Sequence, residues 1–319
     1  MSYLDSEKCY FGTDVKKISD DDGCTVFLLE GDSGKGTMTS YKVFPGIELI
    51  YNAFRMGEGV SNKLPLNDVV EINHCRQGRF ECEFKNGDCI YLQEGDLAVN
   101  MISNFTKTAC FPLQRYDGIS VIIDLTIAQD PMSQILGDVS IDLKELSRKL
   151  CDNNHCLIMR ATESIDHIFS ELYRVPEAIR KGYFKVKILE LLLFLSVICP
   201  DDLHEKRQYF NRKQVKTVKA IKEFLIENLD QNYTLEELSN QFGIAMTPMK
   251  NCFKGVYGIS VFSFLRSYRM HTAAKLLREG DKSVLSVAGQ VGYSNPSKFA
   301  AVFKKEMGLA PKEYKKELV

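Results

Sequence analysis

One stretch of this 319-residue chain occurs twice. Residues 234–265 read TLEELSNQFGIAMTPMKNCFKGVYGISVFSFL, and residues 283–314 read SVLSVAGQVGYSNPSKFAAVFKKEMGLAPKEY. They align at a constant offset of 49, which pairs Thr234 with Ser283, Leu238 with Val287, Gln241 with Gln290 and Gly243 with Gly292. One inserted residue then moves the offset to 50 and pairs Met249 with Phe299, Phe253 with Phe303, Lys254 with Lys304, Gly258 with Gly308 and Phe264 with Tyr314. A single insertion in a turn, with register kept on both sides, restricts the C-terminal third to two copies of one small helical unit.

Each copy carries start and stop signals for two short helices. Thr234 followed by Glu237 has the spacing of a capping box, in which hydroxyl and carboxylate each accept from the other residue's amide. Ser283 caps the second copy. Gly243 and Gly292 end the first helix of each copy, because glycine accepts positive φ without strain. Asn295-Pro296 opens the next helix with an N-cap and a first-turn proline. Phe299, Val302 and Phe303 then recur at i, i+3, i+4 and predict a buried stripe. A short helix, a glycine turn and a second amphipathic helix make a helix-turn-helix, whose second helix enters the major groove.

Between the copies, Val261 to Glu279 reads as one helix with Ser260 as N-cap and Gly280 as stop. At ~1.5 Å per residue it spans roughly 28 Å, against ~34 Å between successive major-groove faces on one side of B-DNA. That length suits two recognition helices in adjacent grooves. Charge agrees. From Glu205 onward there are 20 Lys/Arg against 11 Asp/Glu, while the whole chain is at −1. The preceding part therefore has the opposite sign, and only the basic part is suited to a polyanion.

These residues resemble the C-terminal domain of AraC/XylS-type transcription regulators. The second copy carries Val287-Ala288, Val291-Gly292-Tyr293, Lys298-Phe299, Phe303-Lys304-Lys305, Gly308 and Pro311 through Tyr314. The first carries Leu238, Gly243, Phe253-Lys254 and Gly258, followed by Arg269-Met270 and Ala273 to Leu277. The resemblance covers Lys213 to Lys316 and implies seven helices, two helix-turn-helix units and binding to double-stranded promoter DNA. It also implies a small-molecule effector and contact with RNA polymerase. The first copy departs from the pattern. Ala245 stands where the family has Ser or Thr, which removes an N-cap worth about 1 kcal/mol, and Met249 replaces the usual leucine.

On the exposed faces, Thr247, Lys250 and Asn251 are the base-reading candidates of the first copy, since Asn pairs with adenine and Lys with guanine. Ser297, Lys298 and Ala301 occupy the equivalent surface of the second. The family often has Arg at the Ala301 position, so readout from that helix is expected to be thinner. Lys254, Lys304 and Lys305 are assigned to phosphates, which position a protein without specifying sequence.

The acidic part alternates and turns as antiparallel β. Val69 to Met101 contains reversals at Gln77-Gly78, Asn86-Gly87 and Glu94-Gly95-Asp96; Thr25–Glu30, Met38–Phe44, Glu48–Phe54 and Ile119–Leu125 add strands. The resemblance makes this half a cupin-like effector domain, loosely like the siderophore-sensing (pyochelin-regulator-like) branch. Arg55, Asn73, His74, Arg76, Tyr91 and Arg115 are the candidates for orienting an acidic or aromatic ligand. Ser164–Tyr173 and Phe184–Ile198 predict two helices. The second is apolar on too many sides for a surface helix, and either buries within the domain or pairs with a second copy in a homodimer. The expected organisation is α+β and multidomain. A cupin-like β-barrel with helices (1–160) is followed by a helical pair (161–200), a linker (201–212) and an all-α domain with two helix-turn-helix units (213–319).

No catalytic or metal set emerges. His74 is alone among the barrel strands, while His155, His167, His204 and His271 lie outside them. Cys75, Cys82 and Cys89 recur every seven residues but fall on different strands. His155-Cys156 after Cys151 is the remaining metal candidate. Neither a phosphate-binding glycine loop nor a G-x-S-x-G turn is present, and no cofactor is expected. The ten cysteines read as reduced thiols buried as small hydrophobes. Ile188–Ile198 is too short to span a bilayer, and Met1–Phe11 lacks an apolar signal core, so a cytoplasmic protein is expected. The competing readings are a DNA-repair or metal-dependent enzyme with an appended DNA module, which needs a zinc-type cysteine cluster, and a constitutive architectural protein.

Overall fold

The computed structural model describes residues 15–21, 23–31, 34–57, 68–84, 88–102, 106–136, 141–151, 156–200, 210–278 and 282–316. The chain divides into two compact units, Met1–Tyr209 and Phe210–Val319.

The first unit is antiparallel β with helices. Its strands are β1 (Val15–Asp21), β2 (Cys24–Gly31), β3 (Gly34–Phe44), β4 (Ile47–Met56), β5 (Val69–Gly78), β6 (Phe80–Phe84), β7 (Asp88–Leu92), β8 (Leu97–Met101), β9 (Thr106–Cys110), β10 (Tyr116–Asp124) and β11 (Leu157–Met159). Helices α1 (Leu125–Leu136) and α2 (Leu143–Leu150) precede β11, and α3 (Glu163–Leu172) and α4 (Arg180–Val197) follow it. The large sheet runs β1-β2-β3-β4-β10-β5-β8-β11. In a smaller antiparallel group β6 pairs with both β7 and β9.

Alternation along the strands assigns two cores. Phe27, Met38, Ile50, Cys75, Cys82, Ile90 and Tyr116 lie between the large sheet and the smaller group. The opposite face of the large sheet, with Leu49, Ile72, Leu97, Ile119 and Val121, packs against Ile168, Phe169, Ile188 and Leu192 of α3 and α4. Leu49, Leu97, Ile119 and Val121 are fully buried, each worth about 1.5–3 kcal/mol relative to exposure. The thiols of Cys75 and Cys151 are in these cores, and burial pushes both up to about 12.

Several local expectations change. The Asn86-Gly87 reversal, the Gly280 stop, His155 and His204 lie outside the described residues. Helix α4 begins at Arg180 rather than Phe184, since a 3-10 turn at Glu177–Ile179 leads straight into it. The polar stretch read as linker up to Arg212 ends in an N-cap. Asn211 accepts from the Lys213 amide at 2.8 Å, and α5 (Arg212–Glu227) starts there.

The second unit continues with α6 (Leu235–Phe242), α7 (Met246–Tyr257), α8 (Val261–Arg278), α9 (Val284–Gln290), α10 (Pro296–Met307) and α11 (Pro311–Lys316). With α5 these are the seven helices the resemblance implies. Helix α8 is shared. Phe264 meets Phe253 of α7 edge-on with ring centroids 5.8 Å apart, while Met270, Ala273, Ala274 and Leu277 pack with Val287, Phe299 and Phe303 of the second copy. Among the described residues, no helix is long and apolar enough to cross a membrane.

Candidate nucleic-acid interface

In the first copy the capping box is complete. The Glu237 amide donates to Thr234 Oγ1 at 3.2 Å, and the Thr234 amide donates to Glu237 Oε2 at 2.7 Å. Gly243 closes α6 at φ 60°. Three residues later α7 starts without any side-chain cap, since Ala245 has no acceptor to offer. In the second copy Ser283 accepts from the Ser286 amide at 3.1 Å, Gly292 turns at φ 77°, and Asn295 accepts from the amides of Ser297 and Lys298 at 2.9 and 3.0 Å. Both second helices end on a left-handed glycine, Gly258 and Gly308.

Burial separates the faces of the two second helices. In α7, Met249, Cys252, Phe253, Val256 and Tyr257 are buried. Thr247, Lys250, Asn251 and Lys254 are exposed, and their i, i+3, i+4, i+7 spacing makes one continuous strip. In α10, Phe299 and Phe303 are buried, and Ser297, Lys298, Ala301, Lys304 and Lys305 are exposed. Each strip offers ammonium and amide or hydroxyl groups to solvent above a rigid apolar base. Chemically such a strip can donate to base edges and phosphate oxygens.

Residues 238–317 match the family model of a helix-turn-helix domain. The thermoregulatory protein LcrF of Yersinia pestis is 29% identical over 131 residues, covering 40% of this chain and 47% of LcrF. The transcriptional activator RhaR of Mannheimia succiniciproducens is 26% identical over 155 residues, covering 49% of this chain and 55% of RhaR. A putative AraC-like transcription regulator of Streptomyces lividans is 29% identical over 86 residues, 27% of this chain and 28% of that protein. The C-terminal unit is an AraC-type helix-turn-helix domain. The chain spans about half the length of LcrF and RhaR.

Within this AraC-type domain the two copies are not equivalent. The α10 N-terminus has two of its amides satisfied by Asn295, whereas α7 has none satisfied by its N-cap residue. An absent N-cap costs about 1 kcal/mol, so the first recognition helix is the more easily frayed. Sequence reasoning passed over the role of Arg269, which is 7% exposed in the middle of α8. A lone arginine in an amphipathic helix reads as solvated, and only the packing of α8 between two copies reveals otherwise.

The six N-terminal candidates do not share one lining. His74 and Arg76 project from the same side of β5. The His74 imidazole is buried between Phe169, stacked at 4.2 Å, and the Tyr173 hydroxyl, 3.2 Å from Nδ1. The Arg76 guanidinium lies 4.4 Å from the centroid of the Tyr173 ring. Arg55 and Arg115 both bind Asp117, at 2.9 and 3.2 Å. Asn73 faces the inter-sheet core and accepts from the Tyr116 hydroxyl at 2.6 Å. Tyr91 is buried on β7, with the Arg79 guanidinium 5.8 Å from its centroid. Desolvation alone pushes the His74 imidazole down to about 4. Among the described residues, no three His, Cys, Asp or Glu side chains are grouped to hold a metal ion.

Also unforeseen is Lys187 of α4. It is 3% exposed and held by Glu190 at 2.7 Å, by Glu171 at 3.4 Å and by the His167 carbonyl at 3.3 Å. Its neighbours Phe184, Ile188, Leu191 and Leu192 are buried, while Val186, Leu193 and Val197 are exposed.

Proposed function

We propose that this chain is a sequence-specific DNA-binding transcription regulator. Its two recognition helices, α7 and α10, occupy adjacent major grooves of promoter DNA. The observation that carries the reading is the pair of exposed polar strips, Thr247-Lys250-Asn251-Lys254 and Ser297-Lys298-Ala301-Lys304-Lys305, on corresponding helices of a duplicated AraC-type domain. The 18 residues of α8 between them span ~27 Å, compatible with the ~34 Å groove repeat. Thr247, Lys250 and Asn251 read bases in one groove, Ser297, Lys298 and Ala301 in the next, and the remaining lysines hold phosphates.

The N-terminal unit senses a small acidic ligand, with Arg76, Tyr173 and His74 as the side chains we assign to it. A ligand acts only through different affinities for the DNA-competent and incompetent states. The exposed Val186, Leu193 and Val197 of α4 serve contact with a second copy. RhaR is named a transcriptional activator, and we infer the same direction here, through RNA polymerase at the promoter.

The test is enrichment of bound fragments from a random-sequence duplex pool by purified full-length protein, in dilute and physiological salt. The reading requires enrichment of a defined sequence, with binding that falls steeply as salt rises. Equal recovery of all duplexes, or of none, contradicts it.

A further inference from the structure

Resting on the DNA-binding reading, this inference concerns what keeps the two recognition helices in a fixed mutual geometry. Helix α8 packs into both copies, and each copy has its own apolar core. Two small cores joined by one helix can rock against each other unless something polar and directional pins them where they meet. The side chain at that place is Arg269.

Its guanidinium reaches in two directions. Towards the first copy, Nη2 donates to the Gln231 carbonyl at 2.6 Å and Nη1 donates to Asn232 Oδ1 at 3.0 Å. Both acceptors lie in the turn that leads to the Thr234 cap of α6. Towards the second copy, the guanidinium carbon lies 5.9 Å from the centroid of the Tyr293 ring. Tyr293 follows the α9–α10 turn and meets Phe299 of α10 edge-on at 5.7 Å. The adjacent Gly292 leaves room for this. A Cβ there would lie 2.6 Å from Arg269 Nη2 and 2.6 Å from the Leu229 carbonyl oxygen. The glycine is thus required by its φ of 77° and again by the guanidinium beside it.

We propose that Arg269 is a positioning residue that latches the turn before α6 to the turn before α10, and so sets the spacing and phase of the two half-sites the protein accepts. Two acceptors from one segment and an aromatic face from the other use the planar fork of arginine, a geometry lysine does not reproduce. Removal of the latch leaves each helix-turn-helix folded and able to meet its own half-site, but lets the two rock independently.

The experiment has two arms on the full-length chain. In the first, without DNA, spin labels carried by bioorthogonal amino acids at positions 247 and 301 report the distribution of distances between α7 and α10. The wild-type latch gives one narrow distribution, and Arg269→Ala should broaden it at least about twofold. An unchanged width overturns the proposal. Should Arg269→Ala fail to keep its helix content, the double variant Asn232→Ala, Tyr293→Leu removes both anchors and is judged by the same width.

In the second arm, a half-turn insertion between half-sites should cost wild type at least about tenfold in affinity but Arg269→Ala less than about threefold, with single half-site affinity within about twofold of wild type. Loss of half-site affinity along with spacing preference makes Arg269 a general folding residue and overturns the latch. If wild type binds no duplex, the DNA reading fails while the distance measurement still decides the latch.

Discussion

The imidazole of His74 lies flat on the ring of Phe169, with centroids 4.2 Å apart and planes within 4° of parallel. His74 comes from β5 and Phe169 from α3, so the contact joins the large sheet to the helical layer. Burial holds the imidazole down to about 4, well below its ordinary value of 6.5. The folded state therefore binds fewer protons than the unfolded state at mildly acid pH, and stability falls as pH drops below about 6.5 towards 4.

Between pH 7 and pH 5 this one group should remove about 2 kcal/mol from the N-terminal unit. Urea unfolding followed at both pH values checks the figure. His74→Phe keeps the stacking surface and should flatten the profile over that window. An equal loss in wild type and variant would assign the acid sensitivity elsewhere.

Ala245→Ser supplies the acceptor that α7 lacks. We expect a gain of about 1 kcal/mol in the C-terminal unit, or about 4 °C in its unfolding midpoint. Calorimetry of the full chain reads it. A midpoint that does not rise would mean that the orphan amides of α7 are satisfied without the cap.

Much of the C-terminal unit is legible in sequence because its signals are local. Thr234 and Glu237, Gly243, Asn295, Gly258 and Gly308 act within one turn, and each does what its chemistry dictates. The N-terminal unit is harder. Alternation predicts β3, β4 and β5 but says nothing of which faces stack, so Asn73 and His74, neighbours in sequence, end in different cores. Helices α1 and α2 were not anticipated. The N-cap of α2, Asp142, accepts from the amides of Lys144 and Glu145, a signal present in the sequence but easily lost beside a β-rich segment. Arg269 and Lys187 are the deeper omissions. A buried cation is recognised by its partners, and those come from residues 16 to 38 positions away.

Lys250 and Lys304 separate readers from anchors. Lys250→Ala should relax preference at one base position, at a cost of about 1–3 kcal/mol on the preferred sequence. Lys304→Ala should weaken all duplexes alike and reduce the slope of log affinity against log salt by about 1. Titrations on matched and single-mismatch duplexes distinguish the two. Identical behaviour of the variants would remove the distinction.

On α4, Val197 is 78% and Val186 60% exposed. Val197→Asp should abolish a dimer in sedimentation equilibrium while changing monomer stability by less than about 0.5 kcal/mol, as an exposed site allows. A wild-type chain that sediments as a monomer at all concentrations contradicts the assignment of this strip to a second copy.

The central claim, one duplex gripped in two successive major grooves, is tested most directly by hydroxyl-radical footprinting of the full-length protein on its selected sequence. Two protected patches on the same face, with centres about 10 base pairs apart, are the predicted result. A single patch, or protection spread evenly around the helix, would contradict it.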